Sequence, residues 1–294
     1  MTASIRTEGL TKYYGPHRGV VDLDLEVVAG EVFGFLGPNG AGKTTTIRLL
    51  LDLLRPSKGS ATVLGLKVRR RGVEVRRLVG YLPGELALFD RLTGRETLQF
   101  LANLRGGVDW AYVGELSDRL SADLDKRVRE LSTGNKRKLS LLQAFMHRPP
   151  LLILDEPTAG LDPIVQYEFH RIVDDVRRAG QTVFLSSHVL PEVRRICDRV
   201  GFVRDGTLVA VENVDALLHR QVRELDLAFA VPAPVDLFAG IESVHEAVVD
   251  GHRARLRVAG SFDEVFARAL PYHVTDVSSR EPELDGVFLA YYGI

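Results

Sequence analysis

The sequence holds a single cysteine, Cys197, one tryptophan and two methionines among 294 residues. One thiol cannot close an internal disulfide, which suits a reducing compartment. Within RRICDRVGF it reads as buried packing rather than a nucleophile. Charge of one sign is also missing, since 38 Lys+Arg stand against 39 Asp+Glu, a formal net charge of -1. No global basicity draws the chain toward nucleic acid or anionic lipid, and no nucleic-acid partner is expected. No apolar run approaches the ~18 residues of a membrane-spanning helix, and the opening MTASIRTEGL lacks the apolar core of a signal peptide. Any membrane process is therefore expected to be served from outside the lipid. Internal repeats and low-complexity segments are absent as well.

What remains is an ordinary globular composition, 45% hydrophobic and 26% charged, long enough for one large domain and a small appendage. Ile5 to Val28 reads as short strands around a turn at Tyr14-Gly15-Pro16, and Glu31 to Leu36 as a buried strand ending at a Gly-rich loop. Helical spacing runs from Thr44 to Leu54, dominates Leu86 to Leu142 and returns in Pro163 to Arg178, while Leu151 to Leu154 and Thr182 to Ser186 are further apolar strands. Strands alternating with helices predict an α/β fold with a mostly parallel, doubly covered sheet and an inserted helical subdomain at about 86–142. Near Leu218 the pattern changes. Leu225, Leu227, Phe229 and Val231 alternate with other residues, as do Ala254, Leu256 and Val258; helix-like 262–270, strand-like 273–277 and helix-like 284–292 complete a small α+β unit. The expected domains are residues 1–218 and 219–294.

The strongest local signal is Gly37-Pro38-Asn39-Gly40-Ala41-Gly42-Lys43-Thr44, a full G-x-x-x-x-G-K-[ST] between a predicted strand and a predicted helix. Glycines let the backbone curl so that successive N–H groups face phosphate oxygens, and the following helix adds the positive end of its dipole. Lys43 is expected to reach the β- and γ-phosphates, and the Thr44 hydroxyl to help hold Mg²⁺. The apolar run Leu151-Leu152-Ile153-Leu154 ends in Asp155 and Glu156. One strand-end carboxylate suits magnesium, which keeps several waters, so Asp155 is the expected metal ligand. Glu156 would then face the γ-phosphate and orient or deprotonate the attacking water. His188 closes the apolar run Thr182 to Ser187. Alone it would read as a structural imidazole; at the same carboxyl edge of the sheet it reads as a functional one.

In this order of motifs the chain resembles the nucleotide-binding domain of ATP-binding cassette proteins over roughly residues 4–220. The resemblance implies a P-loop NTPase (RecA-like) core with an N-terminal antiparallel β subdomain. It assigns Tyr14 to stacking on adenine, Gly37 to Thr45 to the phosphate loop, Asp162 to the D-loop Ala159-Gly160-Leu161-Asp162, and His188 to a switch contacting the γ-phosphate. Leu131-Ser132-Thr133-Gly134-Asn135 falls where the family places its signature LSGGQ. There the family closes two copies head to tail, each signature over the other's ATP. Ser132 and Gly134 would supply that second anion cradle, with Lys136-Arg137-Lys138 adding positive potential. The resemblance further implies a homodimer sandwiching nucleotide, a separate transmembrane permease, and a cytoplasmic position on the inner face of the cell membrane.

Two departures stand out. Thr133 brings a Cβ where the family has glycine, which would matter if that position needs positive φ. In the lid Gly80-Tyr81-Leu82-Pro83-Gly84-Glu85 the family's metal-sensing Gln is replaced by Gly84, and a one-residue shift would make Glu85 the oxygen donor to the metal. Both departures resemble a branch of exporters like the daunorubicin-resistance ATPases, and residues 281–289 resemble that branch's small accessory domain. Leu88, Phe89 and Leu92 read either as permease contacts or as subdomain core. The basic run Lys67 to Arg71 with Arg76 and Arg77 reads as a solvated face around a loop or as a surface for a membrane or an acidic partner.

Competing functions are weaker. A translation-associated cassette protein usually carries two cassettes, and a repair or chromosome ATPase needs a long coiled coil that the interval from Thr45 to Leu131 cannot hold. Guanine recognition needs an Asp that Asn135-Lys136-Arg137-Lys138 lacks. A nucleotide-binding module with impaired hydrolysis stays open if the altered signature prevents closure, against which Glu156 and His188 both speak.

Overall fold

The computed structural model describes residues 2–219 and 222–280, which fall in two compact units, Met1–Val211 and Glu212–Ile294. In the first, β1 (Ala3–Tyr14) and β2 (His17–Val28) pair antiparallel. At 12 residues each they are longer than the short strands the sequence suggested, because register shifts after Thr7 and Leu10 break the simple alternation that would have announced them. Then come β3 (Val32–Leu36), α1 (Lys43–Leu50), β4 (Lys58–Val63), β5 (Leu66–Lys67), α2 (Val68–Leu78) and β6 (Val79–Leu82). The helical insertion comprises α3 (Gly94–Leu104), α4 (Trp110–Leu120) and α5 (Thr133–Phe145), and β7 (Leu151–Asp155), α6 (Pro163–Arg178), β8 (Thr182–Ser187), α7 (Leu190–Ile196), β9 (Arg199–Arg204) and β10 (Thr207–Asn213) follow.

A four-stranded sheet runs in the order β2-β1-β4-β5 and a six-stranded sheet in the order β10-β9-β3-β8-β7-β6. In the larger sheet β9, β3, β8, β7 and β6 are parallel, with Leu36 beside Ser187 and Asp155 beside Ser186. Every residue of β3, β7 and β8 is buried, as expected of strands covered on both faces. Phe33 and Phe35 pack on Phe184 at centroid distances of 6.0 and 5.4 Å, anchoring neighbouring strands in register so that their carboxyl ends meet at one edge.

Two local expectations change. The helix after the Gly-rich loop stops at Leu50, four residues early. Leu53 N and Leu54 N turn back to Arg48 O, and Asp52 takes φ 54°. Of the basic run, Lys67 ends β5, while Arg69, Arg70, Arg71, Arg76 and Arg77 lie in helix α2 and not in a loop. Its buried face is Val68, Gly72 and Val75, and the glycine in that stripe hides the apolar period.

The second unit contains α8 (Val214–His219), β11 (Val222–Phe229), β12 (Val244–Asp250), β13 (Arg253–Ala259), α9 (Asp263–Ala269) and β14 (Val274–Arg280), with a sheet in the order β12-β13-β11-β14. Leu225, Leu227, Phe229, Ala254, Leu256 and Val258 form its core with Val265 of α9. β12 was not expected, since only Val249 of its residues is buried. The expected helix 284–292 and the resembling segment 281–289 lie outside the described residues.

His147 and His170 sit where burial holds both imidazoles neutral, their pKa lowered from 6.5 to about 4, with Arg105 and Arg195 respectively adding to the effect. The unfolded chain therefore takes up these protons first as pH falls. Stability is expected to decline from about pH 6.5 towards pH 4. Chemical denaturation at pH 7.5 and pH 5 tests this; equal midpoints would exclude it.

Candidate active site

The loop 37–42 joins β3 to α1, and Gly42 caps the helix in the left-handed region with φ 100°. A Cβ there would lie 2.4 Å from Gly19 O, so only glycine allows β2 to close against the loop. A cleft of about 250 Å³ lies over the loop, lined by Tyr14, Arg18, Gly19, Pro38, Asn39, Gly40, Gly42, Lys43, Thr44, Thr45 and Glu156. Tyr14 stands at its rim, 44% exposed, with its Oη 3.5 Å from Thr45 Oγ1 and the Lys12 ammonium 5.4 Å from its ring centre. Ala41 is buried beneath the loop. Arg18 and Gly19 had no sequence signal; the long β1–β2 hairpin delivers them.

Lys43 is 6% exposed, and its Nζ donates to Gly37 O at 2.6 Å and Pro38 O at 3.2 Å. The same ammonium lies 3.2 Å from Glu156 Oε1. Glu156 Oε2 meets His188 Nδ1 at 2.9 Å. Parallel strand order thus brings into one contact chain three groups that lie 113 and 32 residues apart in sequence. Glu156 holds φ 50°, a left-handed backbone unusual outside glycine. Its amide donates to Ser186 Oγ at 3.0 Å, and Ser186 Oγ donates to Asp155 Oδ1 at 2.6 Å. The serine had no prior signal; its side chain sets the carboxylate pair from the neighbouring strand.

Asp155 is fully buried, and its Oδ2 has no hydrogen-bond partner among the described residues. A buried anionic oxygen left bare is costly unless a cation or donor meets it. That oxygen suits a hard divalent ion such as Mg²⁺, and Thr44, the other expected ligand, lines the cleft. Gly84 faces it: a Cβ there would stand 3.0 Å from Asp155 Oδ2. The lid position that faces this oxygen therefore carries no side chain. Glu85 is exposed, and no hydrogen bond or ion pair joins it to the site among the described residues. Tyr81 lies under the lid, its hydroxyl pushed up to about 12 by burial and then by the Asp155 carboxylate.

Ser132, Gly134 and Asp162 are not among the residues lining the cleft of their own chain. Ser132 is the N-cap of α5, its Oγ accepting from Asn135 N at 3.2 Å. Thr133 begins that helix in ordinary helical backbone, so its Cβ brings no strain. A Cβ on Gly134 would approach Gly160 O to 3.1 Å, so the signature helix starts against the D-loop. Asp162 caps α6, accepting from Ile164 N and Val165 N at 3.1 and 3.0 Å. One expectation is corrected here. Arg137 turns inward, 4% exposed, onto main-chain oxygens, so it adds no exposed charge to the cradle.

A strand–loop–helix bearing Lys43, beside strands that deliver an acidic pair and a histidine to the same edge, defines a P-loop nucleoside-triphosphatase. The ABC transporter family model matches residues 20–159. The bacitracin transport ATP-binding protein BcrA of Bacillus licheniformis is 37% identical over 229 residues, covering 77% of this chain and 75% of that one. BcrA of Enterococcus faecalis is 34% identical over 300 residues, covering 98% and 96%. In fold, the dimeric bacterial ABC transporter cassette MJ0796 matches with a TM-score of 0.66 and 20% identity over 71% of this chain and 98% of that one. The chain belongs to the ABC transporter ATP-binding proteins, a family of ATPases. Among the described residues no helix is long and apolar enough to cross a membrane.

Proposed function

We propose that this ATPase powers export of a drug or other small molecule through a separate membrane permease, seated on the inner face of the cell membrane. The observation that carries the mechanism is the Lys43–Glu156–His188 contact chain beside the bare Asp155 oxygen, in a cleft that the chain's own Ser132 and Gly134 do not line. A site whose far wall sits elsewhere on the surface is completed by a second copy, head to tail, and the dimeric cassette of like fold supports that geometry. The BcrA relatives, named for bacitracin transport, support transport of a small molecule as the purpose.

Tyr14 stacks on adenine, and the amides of 39–45 hold the phosphates. Lys43 leaves Glu156 and turns to the β- and γ-oxygens. Thr44 and Asp155 would hold Mg²⁺, which supplies charge neutralisation on the phosphates when bound. Glu156, released from Lys43, accepts a proton from the water as its oxygen bonds to the γ-phosphorus and the bond from that phosphorus to the departing ADP oxygen breaks, and His188 donates toward the γ-phosphate. Loss of that phosphate removes what the two copies share, and the dimer opens. Asp162, at the D-loop end, faces the partner copy in this arrangement, and Glu85 serves the lid surface rather than the metal.

The test is the solution mass of the Glu156→Gln chain with and without MgATP. A shift from monomer to dimer on adding MgATP is expected. A mass unchanged by nucleotide in a protein that binds ATP would refute closure by two copies alone.

A further inference from the structure

Arg137 stands in the basic run after the signature, and its side chain is buried between the half-exposed Lys136 and Lys138. Its partners are main-chain carbonyls, not carboxylates. Nε donates to Ala159 O at 3.3 Å, one terminal nitrogen to Pro83 O at 2.9 Å and Gly84 O at 3.4 Å, and the other to Glu156 O at 2.7 Å. Burying a cation is costly unless its donors are satisfied. The planar five-donor fork can hold several acceptors at fixed mutual angles, which a lysine ammonium cannot.

The three segments gripped are those the chemistry needs held together. Pro83 and Gly84 are the lid, Ala159 opens the D-loop, and Glu156 is the base. Glu156 is clamped from both sides of its left-handed backbone: its amide by Ser186 Oγ at 3.0 Å, its carbonyl by Arg137 at 2.7 Å and by Ala159 N at 3.2 Å. Because Gly84 has no side chain, the lid's main-chain oxygens are its handles toward the site. None of these four hydrogen bonds reaches the phosphate loop.

We propose that Arg137 is a positioning residue: it fixes Glu156 and ties the base, the lid and the D-loop to the helix that begins at Ser132, so that movement of that helix is transmitted to the base. This rests on reading Glu156 as the base. It adds a link within one chain between the surface that meets the partner's nucleotide and the group that activates water at its own.

The test uses Arg137→Lys and Arg137→Gln in the full chain, with turnover expressed per bound ATP. Turnover per bound ATP is expected to fall about 100-fold, the scale of loss for a misplaced reacting group. ATP affinity should stay within about threefold of the unmodified chain, since ground-state binding is untouched. Lysine, which keeps the charge and the stem, should not rescue. An arginine that only supported folding would lower ATP stoichiometry and turnover together, leaving turnover per bound ATP unchanged; that outcome overturns the proposal, and counting bound ATP keeps the comparison valid for a partly folded variant. Wild-type turnover in Arg137→Lys overturns it as well. The unmodified chain and Glu156→Gln serve as controls. If Glu156→Gln also hydrolyses normally, the reading of the base fails; if it is inactive and Arg137→Lys is normal, only the positioning role fails.

Discussion

Replacing Glu156 by Gln should reduce steady-state hydrolysis by about 10²- to 10⁴-fold, the usual worth of a general base, while ATP affinity holds or rises. The rise has a specific cause. Glu156 Oε1 lies 3.2 Å from the Lys43 ammonium, in a setting where Lys43 is 6% exposed. ATP must displace that ion pair before the lysine can meet its phosphates. Glutamine removes the competing charge and keeps the side-chain length, so the lysine is freed for nucleotide. Single-turnover hydrolysis and calorimetric ATP titration check the two halves separately. Loss of ATP binding would show that Glu156 shapes the loop rather than the chemistry, and retained turnover would remove it from the mechanism.

Lys43→Ala should act on the other half of the cycle. Its ammonium is held by Gly37 O and Pro38 O at 2.6 and 3.2 Å, already at the mouth of the phosphate cradle. Hydrogen bonds to charged groups contribute about 1.5–3 kcal/mol each, so removing the lysine should weaken ATP binding about 100-fold. Folding should be little affected, because the packed apolar interior of the unit, which includes Ile5, Phe33, Phe35, Ile47 and Phe184, does not include Lys43. Equilibrium ATP titration alongside a thermal melt without nucleotide separates the two. Unchanged ATP affinity would mean that the loop amides alone hold the phosphates.

The phosphate loop and the strand carrying Asp155 and Glu156 were legible because each is a local pattern: eight consecutive residues between strand and helix, and an apolar run ending in two acids. What sequence could not show was decided by register between distant segments. Nothing near Glu156 announces that it will touch both Lys43 and His188; the β3-β8-β7 order does that. Ser186 is one hydroxyl in an apolar strand, and only its place beside Asp155 gives it a partner. α2 was hidden because its inward stripe contains Gly72, and β12 because its residues are nearly all exposed. Arg137 had a signal that a charge count obscures: it precedes buried Ser140, Leu141 and Ala144 at helical spacing, so it lies on the inward stripe of α5.

With Glu156 as the proposed base, its left-handed backbone sets stability against activity at a single residue. Glycine would relax that conformation, worth about 1 kcal/mol or more for a residue so constrained, yet it would delete the carboxylate. A chain selected only for resistance to unfolding would drift toward glycine there and fall silent. Screens for heat-tolerant variants of this protein will therefore favour inactive ones at this position unless turnover is scored alongside survival.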